Sequence, residues 1–200
     1  MSQPPEEALR AGPYLKPVGS IDMLVGYGRA LQDMAQVHGI HNVFDDNGYK
    51  DLLILTLFGL RKLGRAGDDA VDAQGRQYET KTVARRSAAG VRKESLGITT
   101  EHTMTLPNIQ RYRNVFLWIV AVFDGAQPEA VWEISPRALE PFLALWEERL
   151  RETDDTGRLV RDHLNNPKIP LKYIAEHGIK VWPPDDATPG YEAPRAPVAG

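Results

Sequence analysis

Residues 115–123, VFLWIVAVF, constrain the fold more than any other stretch of the chain. Nine apolar residues follow one another without a polar interruption, and most are β-branched or aromatic. Such a run shows no alternation of apolar and polar positions, so it predicts a strand buried on both faces, at the centre of a sheet. EAVWEI (129–134) follows after the turn DGAQP and predicts a neighbouring strand. Upstream, DAVD and QYETK flank Ala73–Arg76, a polar connection that contains Gly75, and predict a hairpin.

Helical signals lie on either side of these strands. From Ser20, the expected N-cap, Ile21, Leu24, Tyr27, Leu31 and Met34 recur at helical spacing until Gly39. A second helix is expected over Tyr49–Lys62, ending at Gly64. Ser135 followed by Pro136 combines an N-cap with a proline at the first helical position, and predicts a helix through Arg151. KIPLKYIAEHGIKVW predicts an extended piece, a short helical turn and a final strand. Helices, then strands, then a helix indicate an α/β (α+β) domain with a central mixed sheet flanked by helices.

At 200 residues the chain suffices for one well-buried core. The expected organisation is an irregular arm over 1–19, one domain over 20–182 and a loosely ordered proline-rich tail over 183–200. The absence of cysteine removes disulfides and thiolate metal sites and suits a reducing cytoplasm. No apolar run reaches membrane-spanning length, and MSQPPEEALR lacks the order of a signal peptide, so a cytoplasmic protein without a membrane partner is expected. The net charge of −3 is unevenly spread: residues 76–113 hold eight lysines and arginines against three glutamates.

The hairpin carries the chemistry. Side chains alternate along a strand, so Glu79 and Lys81 point the same way, Thr80 points away, and the other hairpin strand brings Asp69 toward the first two. Two carboxylates form a plausible protein share of a Mg²⁺ site, since this hard cation takes oxygen ligands and keeps several waters. The Thr80 carbonyl offers another oxygen. A metal held there polarises a phosphoryl oxygen and activates a bound water, and Lys81 offsets the charge that develops. On spacing alone, a solvated face on which Glu79 and Lys81 merely pair with each other is the better reading.

GDDAVDAQGRQYETK (67–81) resembles the active-site segment of the PvuII restriction endonucleases, within the PD-(D/E)xK nuclease superfamily. HGIHNVFDDNGYK (38–50), RYRNVFLWIVAVF (111–123) and NNPKIPLKYIAEHGIKVW (165–182) resemble segments of the same family in the same order, covering about residues 20–182. The resemblance implies a restriction-endonuclease-like fold and a type II restriction endonuclease that makes Mg²⁺-dependent double-strand cuts at a short palindrome related to CAGCTG. By position it places Asp69 and Glu79 on the metal-binding carboxylates, Lys81 on the catalytic lysine and Tyr112 on a tyrosine near the metal. Asp46 falls on a DNA-contacting aspartate. Asn165 and Asn166 fall on an asparagine pair that enters the major groove, where an amide both donates to and accepts from adenine. Asn166 precedes Pro167 and is expected to be extended.

His102 stands within a segment where the family carries three histidines, flanked here by Glu101 and Thr103. Thr99, Thr103 and Lys168 complete the expected DNA contacts. The connection 82–98 adds Arg85, Arg86, Arg92 and Lys93 as candidate phosphate contacts. The resemblance also implies a homodimer, with the helix at Ile21–Val37 as its contact, and a companion DNA methyltransferase. A repair or structure-specific nuclease of the same superfamily, or a non-catalytic DNA-binding protein, are the alternatives.

Overall fold

From Leu117 the apolar run is a strand in which every side chain between Trp118 and Phe123 is buried. The computed structural model describes residues 18–44, 47–63, 69–87 and 89–183; most of the expected arm and tail, and Asp46, lie outside them. In chain order the described elements are α1 (Val18–Val37), α2 (Gly48–Phe58), β1 (Arg61–Lys62), β2 (Ala70–Val71), β3 (Gln77–Ala84), β4 (Gly97–Thr99) and β5 (Thr103–Met104). They continue with α3 (Leu106–Asn114), β6 (Leu117–Asp124), β7 (Gln127–Ile134), a 3₁₀ turn (Pro136–Leu139) and α4 (Glu140–Arg151). The last are β8 (Leu164–Asn165), β9 (Lys168–Pro170), α5 (Leu171–His177) and β10 (Ile179–Trp182).

The main sheet has six strands in the order β1-β2-β3-β6-β7-β10. It is mixed, as expected: β3 runs parallel to β6, and the other pairs are antiparallel. The parallel register runs from Tyr78 beside Leu117 to Ala84 beside Phe123. Trp118, Val120 and Val122 share a core with Ile109 and Tyr112 of α3, Leu143, Trp146 and Leu150 of α4, and Ile169 and Ile174. The chain divides into two compact units, residues 1–52 and 53–200, and this core belongs to the second.

Several expected boundaries shift for identifiable reasons. The first helix already includes Val18, so Ser20 lies inside it and is not its cap. The second ends at Phe58, four residues early, because Gly59 takes a φ of +62°. Leu60 N–H then donates to the Leu55 carbonyl (2.8 Å) and Gly59 N–H to that of Thr56 (3.4 Å), the paired bonds of a Schellman ending. Gly39 closes α1 with the same pattern, through Ile40 to Ala35 and Gly39 to Gln36. Arg61 and Lys62, freed from the helix, pair with Val71 and Ala70.

Helix α3 is an element the periodicity did not announce. Thr105 caps it in a reciprocal capping box with Asn108, and a proline stands in its first turn. The Ser135 cap does form, accepting from Arg137 N–H at 3.2 Å, although its first turn tightens to 3₁₀ before α4. The final segment is an extended piece, a short helix and a strand, as its sequence indicates.

Candidate active site

The hairpin closes at a turn in which Asp72 N–H donates to Arg76 and Gly75, with a φ of +79°, donates back to Asp72. Its strand β2 is only two residues long, pairing Ala70 with Tyr78 and Val71 with Gln77. Thr80 N–H therefore looks past the end of β2, where the Asp69 carboxylate accepts it at 2.8 Å. The Thr80 hydroxyl, expected to point away, also lies 3.2 Å from Asp69 Oδ2. This corrects the strict alternation argument: the short strand leaves a backbone donor that the carboxylate bends over to satisfy.

Glu79 and Lys81 do share a face. Glu79 is 1% exposed, and its two oxygens each meet a cation: Lys81 Nζ at 2.5 Å and Arg111 Nη1 at 2.7 Å. Burial pushes the Glu79 carboxyl above its ordinary range, Lys81 and Arg111 pull it back, and the Asp69 charge pushes it up again. A buried carboxylate is tolerable here because it is paired on both oxygens.

Arg111 and Tyr112, neighbours on α3, extend the cluster. The Arg111 fork also donates to Glu101 (2.9 Å), and its guanidinium carbon lies 4.5 Å from the centroid of the Tyr112 ring. Tyr112 is fully buried, and its hydroxyl lies 2.9 Å from both the Thr100 carbonyl and Glu101 Oε1. Lys81 Nζ lies 5.6 Å from the same ring. Burial, with the charges of Glu79 and Glu101, pushes the Tyr112 phenol far up, so it serves as a hydrogen-bond donor. Sequence reasoning missed Arg111 as a site residue and gave Glu101 only as a residue standing where the family carries a histidine. The spacing of both gives no hint that Arg111 bridges Glu101 and Glu79.

The expected base-reading residues converge from two segments far apart in the chain. Thr99 pairs with Lys168 in a ribbon of β4 and β9, and Thr103 with Asn165 in one of β5 and β8. Asn166 N–H donates to the His102 carbonyl (3.0 Å), and Asn166 Oδ1 lies 3.2 Å from His102 Nδ1. Thr100 N–H and hydroxyl both reach the Pro167 carbonyl. These bonds hold Asn166 at a φ of +45°, in the left-handed region and not in the extended one that Pro167 favours. Asparagine tolerates that region better than most residues. His163, a residue the sequence reading passed over, lies 3.1 Å from Asn165 Oδ1 and 2.6 Å from Asp162.

A comparison with family models matches residues 17–182 to the family described as Restriction endonuclease PvuII. The chain belongs to that family. Like the family, it is a type II site-specific deoxyribonuclease with a restriction-endonuclease-like fold. The donor set fits the metal such enzymes generally use. Asp69, Glu79 and the Thr80 carbonyl are all hard oxygen donors; Lys81 and Arg111 hold both Glu79 oxygens, so a metal there would share or displace these partners. Among the described residues there is no group of three His, Cys, Asp or Glu side chains placed to hold an ion. No described helix is long and apolar enough to cross a membrane.

The basic connection of this family member is built differently from its composition. Arg86 and Arg92 bridge two antiparallel arms, and Lys93 N–H donates to Arg85. Arg85 grips Glu129 with two bonds of 2.6 Å, and Arg86 grips Asp124 at 2.6 and 3.1 Å. The forks of both are filled by carboxylates at the β6–β7 hairpin, so neither is poised for phosphate. Arg92 is different: it lies 3.7–3.9 Å from the same carboxylates, with its side chain 60% exposed.

Proposed function

We propose that this deoxyribonuclease makes Mg²⁺-dependent double-strand cuts at a short palindrome related to CAGCTG. One observation supports the reading above others: Asp69, Glu79 and Lys81 gather at one end of β3, while Thr99, His102, Thr103, Asn165, Asn166 and Lys168 gather on the adjoining ribbons. Asp69, Glu79 and the Thr80 carbonyl would hold the metal, with the Tyr112 ring walling the site. When bound, Mg²⁺ supplies a Lewis acid for the scissile phosphate and acidifies an attached water. Lys81 holds the attacking water beside Glu79 and offsets the negative charge that builds on the phosphate.

Asn165 and Asn166 read the adenine-containing pairs from the major groove. With Glu101 and Thr103 beside His102, at least one G·C position is expected to be changed or relaxed. One active site cuts one strand, so a two-fold homodimer matches a palindromic site. The helix α1 is its proposed contact, and a companion methyltransferase would protect host DNA. Phosphate contacts are proposed for Arg92 and Lys93, with Arg85 and Arg86 contributing only if they exchange partners. Asp46 remains a proposed DNA contact, and a cytoplasmic location is proposed.

Digestion of a fully sequenced DNA with Mg²⁺, with every end mapped, tests this directly. Ends should collect at one palindrome with fixed adenines. Cuts at junctions or flaps would replace the reading with structure-specific nuclease activity, and sites without a fixed adenine would undo the asparagine assignment.

A further inference from the structure

We infer that Glu101 and Arg111 are positioning residues that couple base recognition to catalysis by tying the segment of His102 and Thr103 to the catalytic carboxylate of Glu79. The inference rests on the active-site reading above and goes beyond it. A continuous chain of hydrogen bonds carries it. Asn166 bonds His102 through backbone and side chain; one peptide link away, the preceding residue Glu101 accepts from both Arg111 and Tyr112. The other arm of the Arg111 fork bonds Glu79 Oε2.

Geometry makes this linkage stiff. A guanidinium is planar, and its donors diverge at fixed angles, so Arg111 cannot leave Glu101 without changing its approach to Glu79. The Tyr112 ring stacks beneath it, and the Tyr112 hydroxyl pins Glu101 and the Thr100 carbonyl together. Thr100 in turn is bonded to the Pro167 carbonyl, next to the asparagine pair. A shift of the ribbons on meeting a wrong base thus reaches Glu79 through one side chain. Glu79 is buried, so loss of the Arg111 bond removes one of the two cations that pair its oxygens.

Spatial continuity proposes coupling, and a double-mutant cycle measures it. The experiment uses the full chain and the DNA that the wild-type protein cleaves, alongside the same DNA with one base pair changed. Single-turnover cleavage with Mg²⁺ and affinity with Ca²⁺ are measured for Glu101→Ala, Arg111→Ala, the double variant, Glu101→Gln and Arg111→Lys. Each alanine variant should cleave the cognate DNA about tenfold or more slowly, with affinity changed less than about threefold, and the double variant should be no slower than the slower single one. Rate discrimination against the altered site should shrink in the same variants.

Glu101→Gln keeps an oxygen that accepts both bonds and should recover most of the rate. Arg111→Lys keeps the charge but cannot bridge two carboxylates, and should stay slow. Multiplicative losses in the double variant, losses confined to affinity, or a wild-type rate for Arg111→Lys would each overturn the coupling. Should the alanine variants fail to fold, the glutamine and lysine variants decide alone. A wild-type protein that cuts no DNA would instead bring down the functional reading.

Discussion

Strand β3 has a cluster of charge at each end, and the two are opposite in kind. Beside Glu79 and Lys81, the carboxylates of Asp69, Glu79 and Glu101 outnumber the cations of Lys81 and Arg111. Beyond Ala84, the cations Arg85, Arg86 and Arg92 outnumber the carboxylates of Asp124 and Glu129. The first cluster centres on a carboxylate 1% exposed, whose proton affinity burial raises. In the second, hydrogen bonds from Arg86 and Arg85 hold Asp124 and Glu129 below the usual carboxylate range. An excess of negative charge around one buried carboxylate favours a further cation, and it is there that chemistry is expected. A solvated, mostly neutralised excess of positive charge braces a hairpin and attracts anions only weakly.

The sharpest way to break this contrast is to remove groups from the first cluster. Lys81→Ala and Asp69→Ala should each lower cleavage by about three orders of magnitude or more, since each removes a group proposed to assemble the transition state. Specific binding measured with Ca²⁺ should persist, and Asp69→Ala should bind DNA at least as well without metal, because it takes a negative charge from beside the phosphate. Ordinary cleavage by Lys81→Ala would sink the catalytic assignment.

Next in size is the recognition ribbon. Asn165→Ala or Asn166→Ala should cost about 1–3 kcal/mol of discrimination at the adenine each reads, leaving cleavage of the relaxed site set intact. Libraries of randomised sites read out the change position by position. A uniform fall at all sequences would make these residues structural supports of the turn.

How far these roles could be read in the chain depends on the range of the interactions that set them. The VFLWIVAVF strand, the Ser135–Pro136 cap and the hairpin around Gly75 are local signals, and all three form. Gly59 was an equally local stop signal inside LTLFGLRK, overrun because apolar residues continue past it. The Asn166 backbone follows tertiary bonds to His102 that outweigh its proline neighbour. Arg111 and Glu101 carry no motif at all; only the folded chain sets the Arg111 fork between Glu101 and Glu79. The basic connection reads as a DNA-binding stretch by composition. Its partners Asp124 and Glu129, 38 and 44 residues away, change that for Arg85 and Arg86.

The second cluster can therefore be divided by salt. Neutralising Arg92 and Lys93 should reduce the log–log salt slope of DNA binding by about 0.9 for each phosphate that no longer meets a cation. Replacing Arg85 and Arg86 should leave that slope nearly unchanged, because their forks are already filled by carboxylates. A full reduction from Arg85 and Arg86 would mean that they exchange partners on DNA.

The smallest expected effect concerns what Arg85 does instead. Arg85→Ala should lower stability by about 1 kcal/mol or less, the range for a partly exposed ion pair screened by solvent. Its pH dependence separates charge from packing. The Arg85 hydrogen bond holds the folded-state Glu129 carboxyl below its ordinary value. Its contribution is thus fully present above the unfolded-state carboxylate value and is lost as pH falls through the depressed folded-state value. Urea unfolding of both proteins, followed from about pH 7 toward about pH 3, should show a gap that closes only at the acid end. A gap of equal size throughout would assign the loss to the arginine's alkyl stem packing on the hairpin, leaving the ion pair without a measurable share.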